Sequence, residues 1–279
     1  EYRSKTVTGE RRMGRLAGKV AIVLGAAGAG NMGQVIARRF RDEGANVMVA
    51  GRKGDELQRF ADDIGAGWTL CDITSAADRN LLTQRRIDVL INNAAMGDSG
   101  SLAEVDIQRV RQLFEVNLFA TLELTQVALR QMIERQSGTV LFISSIAGRV
   151  PMPFLMPYSM SKFALSAAAA GLRAEMDQLK KNVHIAVIEP GAIHTGFNQA
   201  MTDSKYAWMG STSYFAHQAK KMQKQERATF KFLEARSTRG IVKQIVNSKT
   251  VTPCRRPASM FVCIYWYKFF FKWVSWNPF

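Results

Sequence analysis

The sequence predicts a single α/β domain: a doubly wound parallel sheet flanked by helices on both faces. Three observations carry that expectation. Short apolar, β-branched runs alternate strictly with segments of helical period, a glycine-rich turn links the first run to a helical pattern, and the chemistry-bearing residues fall just past strand ends. Alternation of this kind implies right-handed crossovers, and in such sheets ligands lie beyond the carboxyl ends of the strands. With 279 residues and 47% hydrophobic content the chain can bury a full core, and α/β enzymes of that length commonly form one domain.

Residues 1–13 form a polar, basic leader containing RSK and ERR, without the apolar run of a signal peptide. Met13 opens MGRLAGKVAIV, which leads straight into the first strand, so translation from Met13 would leave the leader outside the fold. Val20–Leu24, Val47–Ala50, Trp68–Leu70, Val89–Ile91, Val140–Ile143 and Ile185–Ile188 read as strands buried on both faces, as parallel strands are. Gln34–Glu43, Asp55–Ile64, Ile107–Arg135 and Lys162–Leu179 read as helices. From Phe197 the rhythm is lost. A lysine-rich helical stretch, His217–Arg236, precedes a helix over Thr238–Ser248, a break at Pro253 and Pro257, and an aromatic tail over 259–279. The catalytic domain is therefore placed at 14–258, with loops at 150–157 and 197–236 covering the site. The tail is too short for a bilayer span, which needs about 20 apolar residues. Three readings stand for it: a last strand near Ser259–Tyr265, an interfacial membrane anchor, or an oligomer contact.

Composition narrows the function classes. Cys71, Cys254 and Cys263 have no CxxC spacing and cannot all pair, which indicates a reducing, cytoplasmic setting, with peripheral membrane contact through the tail as the variant. His184, His194 and His217 are too scattered for a zinc site, so no metal is expected. The net charge of +15 is concentrated in the first twenty residues and in Lys205–Lys272, with no nucleic-acid module, which disfavours nucleic acid as a partner.

Val20–Leu24 runs into GAAGAGNMG, containing Gly25, Gly28, Gly30, Asn31, Met32 and Gly33, and a helical pattern follows. Such glycines let the backbone approach a pyrophosphate while the helix start offers N–H groups and a positive dipole end, which predicts a dinucleotide. Gly51 stands where a carboxylate would clasp the adenosine ribose, and Arg52 and Lys53 follow it. Cations there can pair with a ribose 2′-phosphate, which favours NADP(H) and leaves NAD(H) open; a solvated pair on a loop is the plainer reading. Asp72 and Ile73 close the third strand, where Asp72 could accept from an adenine amino group or cap the next helix.

These residues resemble those of the short-chain dehydrogenase/reductase family, across roughly residues 14–200, with a Rossmann-type fold. Asn92, Asn93 and Ala94 match its NNAG stretch, Asn117 its structural and catalytic asparagine, Ser145 its serine, and Tyr158 with Lys162 its YxxxK. Pro190, Gly191 and Thr195, in IEPGAIHTG with Ile193, match the turn that contacts the nicotinamide half. The family's glycine loop is two residues shorter than this one. Asn31 sits where it has glycine, and Leu24 where it has threonine, a spacing that resembles the enoyl reductase branch. The segment from Asp72 to Asn92 is several residues short, implying a truncated crossover helix, and the last strand has no clear counterpart.

The chemistry follows from residue types. Tyr158 and Lys162 are four apart and share a helix face, so Lys162 can lower the cost of a phenolate whose ordinary pKa is about 10. Tyr158 is expected as general acid in reduction and general base in oxidation, and Ser145 as hydrogen-bond donor to the substrate oxygen. Lys162 would also hold the ribose hydroxyls, and the resemblance implies that Asn117 positions a relay water. Ser144 competes with Ser145, with capping or packing as its expected part. Met152, Phe154 and Phe197 are candidate substrate contacts in loops rich in methionine and aromatic residues, which suit a lipophilic alcohol or ketone. The resemblance is nearest the hydroxysteroid and retinol dehydrogenase branches. Two alternatives remain, a 3-oxoacyl thioester reductase and an idle dinucleotide-binding sensor. The alanine-rich stretch SKFALSAAAAGLRAEM suggests a homodimer or homotetramer.

Overall fold

The computed structural model describes residues 14–235 and Ile245. Six parallel strands, β1 (Val20–Leu24), β2 (Asn46–Gly51), β3 (Gly67–Leu70), β4 (Val89–Asn92), β5 (Ser137–Ile143) and β6 (Asn182–Ile188), form one sheet in the order β3-β2-β1-β4-β5-β6. The order reverses between β1 and β4, which is where ligands bind in such sheets. Alternation of side chains decides which face each strand residue serves. Ile22 and Leu24 of β1 pack with Leu90, Val140 and Phe142, against helices α5 (Ala120–Glu134) and α6 (Met156–Leu179). Ala21 and Val23, the intervening residues, pack with Val47, Val49 and Ile91, against α1 (Met32–Asp42) and α2 (Gly54–Ile64). Both faces are therefore covered, as the all-parallel pairing requires.

The local signals explain the element ends. Asn31 caps α1 by accepting the Gln34 N–H, and Arg39 and Arg41 lie in the last turn, where cations suit the helix dipole. α3 (Ala76–Thr83) is a short crossover capped by Ser75, in keeping with the shortened segment between β3 and β4. α4 (Ile107–Phe114) and α5 are joined by a π-helical turn over Glu115–Phe119. α7 (Phe197–Trp208) and α8 (Ala219–Leu233) follow β6 and pack on each other.

Four expectations need correction. β3 is not buried on both faces: as an edge strand it leaves Trp68 37% and Leu70 54% exposed. The helix expected over Ile107–Arg135 is broken by the π turn, because an extra residue is accommodated where Asn117 turns inward. The helix carrying Lys162 begins earlier, at Met156, with proline in its first turn, where the missing N–H is harmless. Residues 197–208, expected in a covering loop, form α7, whose Met201, Thr202 and Lys205 are buried. The helix expected at Thr238–Ser248, apart from Ile245, and the strand expected near Ser259–Tyr265 lie outside the described residues. Among the described residues, no helix is long and apolar enough to cross a membrane.

Candidate active site

The glycine turn and the end of β4 form one unit. A β-carbon on Gly25, whose φ is +76°, would stand 2.6 Å from the Ala94 α-carbon, so the two backbones touch. Asn93 Nδ2 donates to the carbonyls of Leu24 (3.1 Å) and Gly25 (3.0 Å), tying β4 to the turn. Asn31, where the family has glycine, holds the longer loop together. Its Oδ1 takes the Gln34 N–H at 2.9 Å, and its Nδ2 donates to Gly25 O at 3.0 Å and to Ala27 O. Gln34 Oε1 in turn accepts the Gly30 N–H at 2.9 Å. The lengthened loop is thus braced by its own side chains. Its glycine backbone opens onto the first turn of α1, with Met32 and Gly33 next to the cap, a cradle whose donors suit a pyrophosphate. The residues present therefore fit a dinucleotide.

At the tip of β2, Lys53 Nζ pairs with Glu56 Oε1 at 2.9 Å. The Glu56 carboxylate is held below its ordinary value by that ammonium and by the backbone N–H of Gly28, against a desolvation cost. Arg52 lies close enough to add to the lowering of the Asp72 pKa, but among the described residues it forms no ion pair or hydrogen bond. Asp72 does not cap α3. Its Oδ1 accepts from Thr74 N (2.9 Å) and Thr74 Oγ1 (2.7 Å), which closes an Asx turn, and Ser75 provides the cap. Ile73 is buried in the core below.

The catalytic candidates converge at the ends of β4 and β5. Ser145 begins the turn after β5, and its Oγ accepts the Ala147 N–H at 3.1 Å. Its hydroxyl lies near the phenol of Tyr158, a residue buried in the first turns of α6. Burial drives the Tyr158 pKa above its ordinary value, and the Ser145 hydrogen bond draws it partly back. Lys162, one turn on and 2% exposed, donates to Ile143 O at 2.9 Å, and its Nζ lies 5.6 Å from the centre of the Tyr158 ring. Desolvation alone lowers its pKa to about 8. Ser144 faces the other way: its Oγ donates to Lys162 O at 3.1 Å and lies 2.8 Å from Ser166 Oγ, a packing role as expected.

The Asn117 side chain turns inward and is bonded within the chain. Its Oδ1 accepts the Met96 N–H (2.7 Å), and its Nδ2 donates to Met96 O (2.9 Å) and Ser161 Oγ (3.0 Å). All of its polar atoms are engaged, so the side chain fixes the segment after Ala94 against α6. Pro190 O accepts the Ile146 N–H at 2.9 Å, which brings the turn after β6 beside Ser145. Gly191 has open space where a side chain would stand, Thr195 N–H closes onto Ile193 O at 2.9 Å, and Ile193 bridges to Ala235 beyond α8.

Tyr158, Ala147 and Met201 form a small apolar cluster lined by Met152, Leu155 and Phe197, with the Phe197 ring centre 5.7 Å from that of Tyr158. Phe154 is not in it; it stacks edge-on to Phe215 at 4.9 Å. The residues that seat the cover were missed in the sequence. Asp98, 1% exposed, takes both arms of Arg109 at 2.9 Å, and Arg109 also reaches Ser204 on α7 at 3.3 Å. Ser99 Oγ donates to Met201 O at 3.1 Å, and the Trp208 ring lies against Gly100. Buried Lys205 pairs with Glu226 of α8. No local pattern marks the contacts from Ser99 and Arg109 to α7, which join residues 102 and 95 apart in the chain. MGDSGS after the NNAA stretch was the one available signal, since small and acidic residues past a strand end invite a ligand or a clasp.

The family model described as short chain dehydrogenase matches residues 19–206. Dehydrogenase/reductase SDR family member 7B of Danio rerio is 31% identical over 229 residues, covering 75% of this chain and 73% of the relative. Dehydrogenase/reductase SDR family member 4 of Bos taurus is 33% identical over 205 residues, covering 69% and 72%. Among solved structures, a Beutenbergia cavernae protein described as an NAD(P)-dependent gluconate 5-dehydrogenase, with NADP bound at low occupancy, is 28% identical. Its TM-score is 0.61, over 67% of this chain and 78% of that one.

Proposed function

The chain belongs to the short-chain dehydrogenase family of oxidoreductases, and from that premise we propose that it interconverts a lipophilic carbonyl and its alcohol, with NADP(H) favoured over NAD(H). The observation that carries the reading is the meeting of the Ser145 and Tyr158 hydroxyls beside buried Lys162, under an apolar cover of Met152, Phe197 and Met201. Asn93, Ala94, the glycine turn and the residues after Pro190 would hold the dinucleotide, with Arg52 nearest a 2′-phosphate. When bound, a reduced nicotinamide supplies a hydride to the carbonyl carbon.

The residues of the chain account for the rest. Ser145 donates to the carbonyl oxygen as negative charge grows there. Tyr158 then delivers its proton. A buried phenol whose pKa lies above the ordinary value keeps that proton through the neutral range, which is the form reduction consumes. Lys162 holds ribose hydroxyls and, with its pKa brought down to about 8, can return a proton to Tyr158 near neutrality. Asn117 acts as a positioning residue, since its side chain is spent on Met96 and Ser161. The exposed Phe163 on α6 offers a face for a homodimer.

The test is oxidation of NADPH and NADH by the purified chain against steroid ketones, retinal and 3-oxoacyl thioesters. Turnover of a lipophilic ketone or aldehyde with NADPH is expected. Turnover confined to thioesters would replace the substrate class, and dinucleotide binding without turnover of any of them would favour an idle sensor.

A further inference from the structure

We infer that Glu56 sets the balance between the two dinucleotides by occupying the donors that an adenosine 2′-phosphate would need. The inference rests on the NADP(H) reading above. Gly51 supplies no carboxylate at the tip of β2, and the tip lies against the glycine turn: a β-carbon on Gly51 would stand 3.4 Å from Ala27 Cβ. Glu56, in the first turn of α2, reaches back into this corner. Its carboxylate takes the Lys53 ammonium at 2.9 Å and lies near enough to the backbone N–H of Gly28 for that dipole to favour its charged form. Of the two cations after Gly51, Lys53 is therefore paired within the chain. Arg52, among the described residues, makes no hydrogen bond or ion pair.

A carboxylate in that corner acts with opposite sign on the two cofactors. A dianionic phosphate must displace Glu56 from Lys53 or sit beside a like charge, and both cost affinity. A ribose diol brings hydroxyl donors, which a carboxylate can accept. Glu56 thus restrains a preference that Arg52 and Lys53 would otherwise make strong.

The experiment is titration of NADPH and NADH into the full chain, wild type, Glu56→Gln and Arg52→Gln, read as Kd by quenching of tryptophan fluorescence. Glu56 is on the surface, and a thermal melt checks that each variant is folded. Glu56→Gln should tighten NADPH about tenfold and leave NADH unchanged or weaker. An unchanged or weaker Kd for NADPH overturns the inference. If NADH alone weakens tenfold, Glu56 is a ribose ligand in an NAD(H) site, which also overturns it. Arg52→Gln tests the underlying preference separately. Loss of NADPH affinity supports it, and no change in Arg52→Gln alongside a gain in Glu56→Gln removes the role of Arg52 while the Glu56 inference stands.

Discussion

The floor of the site and its cover are held by different forces. On the floor, Ser144, Asn117, Ser161 and Lys162 bond to main-chain groups of β5, α6 and the segment at Met96, beneath the surface. In the cover, side-chain pairs do the holding: Asp98 fixes Arg109, which reaches Ser204 of α7, and α7 and α8 are joined by Lys205 with Glu226 and by Arg227 with Asp203 at 2.9 Å. Buried hydrogen bonds to backbone move only if the fold moves, whereas a clasp can be changed one side chain at a time. The chemistry is thus tied to the stability of the domain, while the shape of the entrance is free to vary.

The sharpest break is on the floor. Tyr158→Phe should lower kcat/KM about a thousandfold while leaving the dinucleotide Kd and the melting temperature near wild type; retained turnover would mean the proton comes from elsewhere. Lys162→Met tests whether floor chemistry and fold stability are linked. The folded-state pKa near 8 lies below the ordinary lysine value, so the unfolded chain binds more protons between the two and stability rises with pH across that window. Wild type should gain about 2 kcal/mol over the variant between pH 7.5 and 9.5 in urea melts, and parallel profiles would remove the link. In the cover, Asp98→Asn should raise KM for the carbonyl about tenfold with kcat nearly unchanged, because it loosens α7 without touching the hydroxyls. The smallest effect is Ser144→Ala, expected to cost about 1 kcal/mol in denaturant melts with full activity per folded molecule.

The same division governs what could be read from the sequence. The floor was legible because each part rests on local pattern: β-branched runs, glycines before a helix, and a tyrosine and lysine one turn apart. Even there, the bonding of the Asn117 side chain to Met96 was not foreseen, since the two lie 21 residues apart in the chain. The cover was illegible for a related reason. α7 is held by contacts from residues 97–109, and its own pattern, FNQAMTDSKYAW, carries too few apolar positions to declare a helix unaided. Exposure of β3 was missed because Trp68 and Leu70 are as apolar as residues of an inner strand, and only the strand order makes them an edge.

Position 100 admits glycine on two independent counts. Its φ is +145°, and the Trp208 ring stands 2.0 Å from where a β-carbon would be. In a saturation library the site should tolerate no other residue. A smaller ring at 208 would restore the space but not the backbone freedom, so paired changes would recover only part of the loss. An outer element whose seat is an absent side chain is as restricted in its mutational choices as the core beneath it, even though its other clasps can be exchanged.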